Sequence, residues 1–263
     1  MPVPSRIRQL VEAELREPVL VAAWPGMGHV ALRAFLFLQE RLQAQPLAVM
    51  EEPEFFQLPG AFIEHGVIQS ALVPQNSFSF WRRSSGPGDL LFFIGDRQPV
   101  SGKELPLAEA ILAFAQRHGI SRVVTSAAMP TSINHYQASR VWVTATHRAI
   151  LREVSPFCHR VLEDGHISGM NGLLLGVAKR RALRGFCLLG EIPFYTTSIE
   201  NPKASMAVLQ VLAKVLDLQV DLSDLLELAV RTEKEVDRYL LELQSQKEDE
   251  KKPTDSEGPA TVH

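Results

Sequence analysis

At 263 residues, with 46% hydrophobic and 22% charged side chains, the chain can bury a sizeable core without disulfides or metals, and its bulk suits neither disorder nor a membrane. Its 27 basic and 30 acidic residues leave a net charge of −3, too little field to gather nucleic acid, so no nucleic-acid partner is expected. Cys158 and Cys187 stand outside any Cys-x-x-Cys pair, Met1–Pro18 lacks the apolar run of a signal peptide, and no window reaches the roughly 18 uncharged apolar residues of a membrane span. These features predict a cytoplasmic protein with no membrane association.

In chain order, Ile7, Leu10, Val11 and Leu15 recur at helical spacing and predict a short helix stopped by Pro18. Val19–Trp24 reads as a buried strand, Pro25-Gly26-Met27-Gly28 as a tight turn, and His29–Leu42 as an amphipathic helix. Leu47–Met50 is the next strand. The short crossover predicts parallel, right-handed pairing of these two strands. Between Glu54 and Arg97, short apolar pieces punctuated by Pro59-Gly60, Asn76 and Ser84–Gly88 predict a β-rich insertion returning to the sheet at Leu90–Ile94.

Leu107–His118 forms a helix closed by Gly119, and Arg122–Ser126 and Val141–Ala145 are strands, with a short helix near Ala149–Val154. Gly165-His166-Ile167-Ser168-Gly169-Met170-Asn171-Gly172 precedes a helical run, placing free backbone N–H groups at a helix N-terminus. Phe186–Glu191 is a strand with an acidic residue at its exit. Helices follow from Pro202 to Leu216 and from about 222 to 243, the second carrying a core stripe and a polar face of both signs. The stretch 245–263 lacks apolar material and is expected to be a disordered charged tail.

Open α/β sheets bind ligands at the carboxyl ends of their strands. The loops predicted to converge there contribute Gly26, Met27, Gly28, Glu51, Asp96, Ser126, Ser168, Gly169, Asn171, Gly172 and Glu191 as candidate pocket residues. Gly26, Gly28 and Ala31 have dinucleotide-fingerprint spacing, with Glu51 placed to meet a ribose, but Pro25 and Trp24 crowd the turn, and close helix–strand packing explains the glycines better. No catalytic residue is assigned. Ser168 is not in Gly-x-Ser-x-Gly, Cys187 lies in an apolar strand, and Cys158, His159 and His166 have no established metal spacing. No metal or cofactor is expected. Arg82-Arg83 beside Phe80 and Trp81 reads as an exposed strand face rather than a nucleic-acid platform.

Trp24-Pro25-Gly26-Met27-Gly28-His29-Val30, Ile167-Ser168-Gly169-Met170-Asn171-Gly172-Leu173-Leu174-Leu175, Leu188-Leu189-Gly190-Glu191 and Pro202-x-Ala204, in this order, resemble the bacterial and archaeal branch of the proteasome assembly chaperone 2 family. The resemblance covers about Pro18 to Leu216. It implies a three-layer αβα fold of the phosphorylase/hydrolase-like kind, a mostly parallel central sheet and a tendency to form oligomers. Some archaeal relatives end in a hydrophobic-Tyr-any tripeptide that docks on the proteasome; here Thr261-Val262-His263 stands in that place, so tail docking is not implied.

The expectation is thus a single αβα domain over 1–244, with an insertion at about 54–97 and a C-terminal helix. Its function is read as an oligomeric protein-binding or assembly factor that self-associates and holds a protein partner. The alternative is a binder or enzyme for a small anionic ligand, a nucleotide or carboxylate, at the glycine loops.

Overall fold

The computed structural model describes residues 7–57, 60–61, 63–69 and 76–250, with side chains through 242. In chain order the elements are β1 (Ile7–Gln9), β2 (Val19–Ala23), α1 (Val30–Arg41), β3 (Gln45–Met50), β4 (Ile63–Glu64), β5 (Val67–Ile68), β6 (Asn76–Trp81), β7 (Leu90–Gly95) and α2 (Glu104–Arg117). Then come β8 (Arg122–Thr131), β9 (Val141–Ala145), α3 (Arg148–Val154), β10 (Arg160–Val161), α4 (Gly169–Arg180), β11 (Arg184–Pro193), α5 (Pro202–Val215) and α6 (Ser223–Glu250).

One sheet has the order β1-β3-β6-β7-β2-β8-β11-β9-β10. Its centre, β7-β2-β8-β11, is parallel, and its flanks turn antiparallel through β1-β3-β6-β7 and β11-β9. Strand alternation divides the core. Leu20, Ala22, Phe93 and Leu189 face α2 and α4, whereas Val21, Phe92, Leu188 and Ile192 face α1, α3 and α5. The result is helix, sheet, helix: the three-layer αβα arrangement.

Three local expectations are corrected. Residues 7–9 form no helix; they pair antiparallel with β3, whose outer edge needs hydrogen-bond partners that a helix could not give. β2 and β3 run the same way but are not neighbours, because β6 and β7 lie between them. Among the described residues of 54–97, β6 and β7 belong to the large sheet itself, and the β4–β5 hairpin forms a separate two-stranded sheet. Finally, α6 continues through Glu250, past the expected boundary at 243, on a run of good helix formers. The rest of the expected tail, 251–263, lies outside the described residues.

Candidate functional site

The sheet forks at its carboxyl end. β2 pairs with β7 over its whole length but with β8 only at Val19–Val21 against Arg122–Val124. β2 then leaves the sheet at Trp24-Pro25-Gly26, while β8 runs on beside β11 to Thr131. A cleft of about 510 Å³ opens between them, lined on one side by Pro25, Gly26 and Met27 and on the other by Ala127, Ala128, Met129 and Pro130. Ala31, Leu162, the loop from Asp164 through Gly169, Asn171, Gln98 and Leu189 complete its walls. Divergence of adjacent strands at their carboxyl ends is the usual place for a binding crevice in an open α/β sheet.

Of the expected pocket residues, Gly26, Met27, Ser168, Gly169 and Asn171 line this cleft. Gly28 lies in a separate recess of about 290 Å³ with His29 and Thr197 to Glu200. Its N–H donates to Thr197 O (2.9 Å) and its carbonyl accepts from the Asn201 N–H (2.8 Å). The turn's backbone is thus committed to the protein, with Gly28 at φ +59° and His29 at φ +48° in the left-handed region. Glu51 is at the sheet's far side, where Arg8 bonds it. Three strand spacings, about 14 Å, separate its strand from β2, too far for the ribose contact of a dinucleotide fold.

Ser126 is not in a loop but mid-strand and buried, and its hydroxyl donates to Leu188 O (2.8 Å). Glu191 is likewise within β11, buried, with Oε1 accepting from Trp142 Nε1 (2.9 Å). Asp96 is exposed beyond β7. α4 begins at Gly169, so Gly172 sits inside the helix; a Cβ there would lie 2.0 Å from Ile167 O, which makes it a close-packing position. Asn171 spends its amide on Trp24: Oδ1 accepts from the Trp24 N–H (3.0 Å) and Nδ2 donates to Trp24 O (3.2 Å).

Gln98 was not singled out from the sequence, yet it joins both sides of the cleft. Its Nε2 donates to Pro25 O (2.7 Å) and its Oε1 accepts from the Met170 N–H (3.0 Å), occupying a free donor in the first turn of α4. Only its position just after an apolar strand hinted at a role.

The charge of the cleft argues against an anion. No Lys or Arg is among its described lining residues; Asp164 and His166 are the titratable ones. Burial pushes the thiols of Cys158 and Cys187 up to about 11 and about 12, which leaves them protonated and poorly nucleophilic at neutral pH. Among the described residues, no group of three His, Cys, Asp or Glu side chains could hold a metal, and no helix is long and apolar enough to cross a membrane.

A model of the PAC2 family matches residues 20–240. The chain belongs to the PAC2 family. Among solved structures, this PAC2-family chain is similar to PbaB of Pyrococcus furiosus, described as an archaeal proteasome activator, with 26% identity and a TM-score of 0.77 over 90% of this chain and 99% of that one. It is also similar to a Mycobacterium tuberculosis proteasome-assembly chaperone homologue, with 23% identity and a TM-score of 0.71 over 84% and 94% of the two chains. An uncharacterized Methanocaldococcus jannaschii protein is 22% identical over 219 residues, 80% of this chain and 78% of that one.

In this PAC2-family chain the carboxyl end of the sheet also anchors α6. Near its start Asp224 bonds Arg41 at the end of α1; further on, Asp237 accepts from Tyr136 Oη (2.6 Å) and contacts His135 Nε2 (2.9 Å), both just beyond β8. Lys203 bonds Glu233 and donates to His135 O (2.6 Å). α6 therefore runs antiparallel to α1 and continues past this end for roughly another 20 Å. Beside it stand Tyr136, 63% exposed, and Tyr195, whose hydroxyl meets His135 Nδ1 (2.8 Å); Phe194, which precedes Tyr195 in the chain, is also 63% exposed.

Proposed function

We propose that this chain is a self-associating assembly factor that holds a partner protein at the carboxyl end of its sheet, in the same cytoplasmic setting that its isolated thiols suit. The observation that carries this reading is the cluster of exposed aromatic side chains, Tyr136, Phe194 and Tyr195, beside a helix that projects past them. Exposed Tyr and Phe held by bonded neighbours lose little entropy on contact and are enriched in protein interfaces. Tyr136 and Tyr195 fit this description because Asp237 and His135 engage their hydroxyls. Along α6, Leu226, Val230 and Leu241 leave an exposed apolar flank that a second copy would cover.

The solved relatives support the class of role. PbaB is described as a proteasome activator and another Pyrococcus furiosus relative, PbaA, as a homologue of proteasome-assembly chaperone. The test is purification of the tagged full-length protein from its native cell, followed by native mass spectrometry. A stoichiometric protein partner and a multimer of this chain are expected. Phe194→Ser is expected to remove the partner, and Leu226→Glu with Val230→Glu to lower the subunit count, without loss of folding. A bare monomer across a range of concentrations would overturn the reading.

A further inference from the structure

We infer that the open edge of β8 in the fork is a receiving strand for an extended, apolar polypeptide segment that carries a basic side chain at the cleft mouth. This rests on the proposed protein-binding function and says where and how a partner's chain is held. The carrying observation is the register. β8 is paired on both sides only up to Val124; beyond it the β11 side stays paired through Thr131, Thr125 and Ser126 are buried, and on the side that faced β2 the cleft begins at Ala127. Four consecutive residues, Ala127 to Pro130, line that cleft. A strand whose side chains alone reached a pocket would contribute alternate residues; an unbroken run means that the backbone edge itself is presented.

An unpaired strand edge asks for main-chain donors and acceptors at strand spacing, which an extended peptide supplies. Pro130 has no N–H, so the ladder closes by the end of β8. The walls select the side chains. Ala31 and Ala128 on one face, and Ala127, Ile167 and Leu189 on the other, are small or apolar and suit Ala, Val or Thr. The mouth carries the exposed carboxylate of Asp164 without a Lys or Arg among the described lining residues, so charge complementarity favours a basic side chain there and opposes an acidic one.

Two positions allow the idea to be tested without disturbing the core. Gly26 is extended (φ −161°), and a Cβ there meets only Asn171 Nδ2, at 3.8 Å, so Gly26→Phe can fill the cleft. Asp164 is exposed, so Asp164→Lys can reverse the mouth's charge.

The probes are fluorescent pentapeptides with one Lys followed by combinations of Val, Ala and Thr, their Glu counterparts, and versions N-methylated at one or the other alternate set of amides. Against the full-length protein the Lys peptides should bind saturably. Methylation of one alternate set should weaken binding at least tenfold and of the other by less than threefold. Gly26→Phe should remove binding, and Asp164→Lys should transfer the preference to the Glu peptides. Binding indifferent to methylation of either set, or no saturable binding of any peptide up to about 1 mM, would overturn the inference. Failed peptide binding with a partner still recovered from native cells removes the groove and leaves the proposed function. Peptide binding with no partner recovered does the reverse.

Discussion

Asn171 grips the backbone of Trp24 with both atoms of its amide, accepting from the N–H at 3.0 Å and donating to the carbonyl at 3.2 Å. A neighbouring strand would supply this donor and acceptor if β8 still ran beside β2. Because the two strands part after Val21 and Val124, the buried Trp24 peptide groups need another partner, and the first turn of α4 provides it. The two glycine-flanked stretches of the sequence are thus paired because they bond to each other, and their bond sits where the fork opens.

Asn171→Ala should destabilise the fold more than a surface change would. It leaves a buried N–H and a buried carbonyl unpartnered, each costing about 1–3 kcal/mol, so a loss of roughly 2–6 kcal/mol is expected in urea unfolding. In a chain of this size that corresponds to a fall in Tm of about 4–24 °C. An unchanged unfolding midpoint would mean that water replaces Asn171 freely at this site.

Two glycines of the same helix should respond with opposite sign. At Gly172 a methyl group would lie 2.0 Å from Ile167 O, so Gly172→Ala must displace backbone and should cost several kcal/mol, of the order seen for overpacked cores. At Gly176 nothing lies within 4 Å of the position, so Gly176→Ala should stabilise α4 by about 0.5–1 kcal/mol. Equilibrium denaturation of the two variants compares them directly; equal effects would contradict the packing described for the Gly165–Ser168 loop.

The layers were legible in the sequence because burial has a period. Unbroken apolar runs at Val19–Ala23, Leu90–Ile94 and Phe186–Leu189 could only be interior strands, and the helices between them showed one apolar stripe each. Neighbour relations were not legible: nothing in Leu47–Met50 says that two later strands will enter between it and Val19–Ala23. The site was legible as a region, since glycine-rich turns mark the ends of strands, but not as a constellation. Ser126 reads from the sequence as the strand's last residue, opening onto a loop, because Ala127–Pro130 has no strong strand character; pairing with β11 through Thr131 overrides that weak propensity. Gln98 had no motif to announce it, because its role depends on two backbone atoms from distant stretches.

The basic pair beside β6 divides into two unlike residues. Arg83 is buried; its guanidinium stacks near Trp81 and donates to the carbonyls of Leu216 (2.7 Å) and Asp217 (2.8 Å), closing the end of α5. Arg83→Met leaves those carbonyls without their donor and should cost about 2–4 kcal/mol. Arg82 is exposed over Phe80, and Arg82→Met should stay within about 0.5 kcal/mol. Thermal unfolding separates them. A similar small effect for both would place Arg83 outside the core.

Attachment of α6 should depend on pH through Asp237 and Tyr136. The hydrogen bond from Tyr136, then that from His135, holds the Asp237 carboxyl below its ordinary 3.8, whereas the same bond to Asp237, then burial, raises the Tyr136 phenol above 10.0. A depressed carboxylate contributes stability that is present above its unfolded pKa and lost as pH falls from about 4 through the folded value. A raised phenol contributes stability that is present below 10.0 and lost as pH rises through its folded value. Between these limits the attachment should be flat with respect to these two groups. Asp237→Asn removes the acid limb and should bring the Tyr136 titration back toward 10.0, read as phenolate absorbance against a Tyr136→Phe control. Amide hydrogen exchange along residues 232–242 should speed up in the wild type below about pH 4 and show no such step in Asp237→Asn. An unchanged Tyr136 titration in Asp237→Asn would mean that the two side chains do not share a hydrogen bond in solution, and the clamp on α6 would then rest on Lys203 and Glu233.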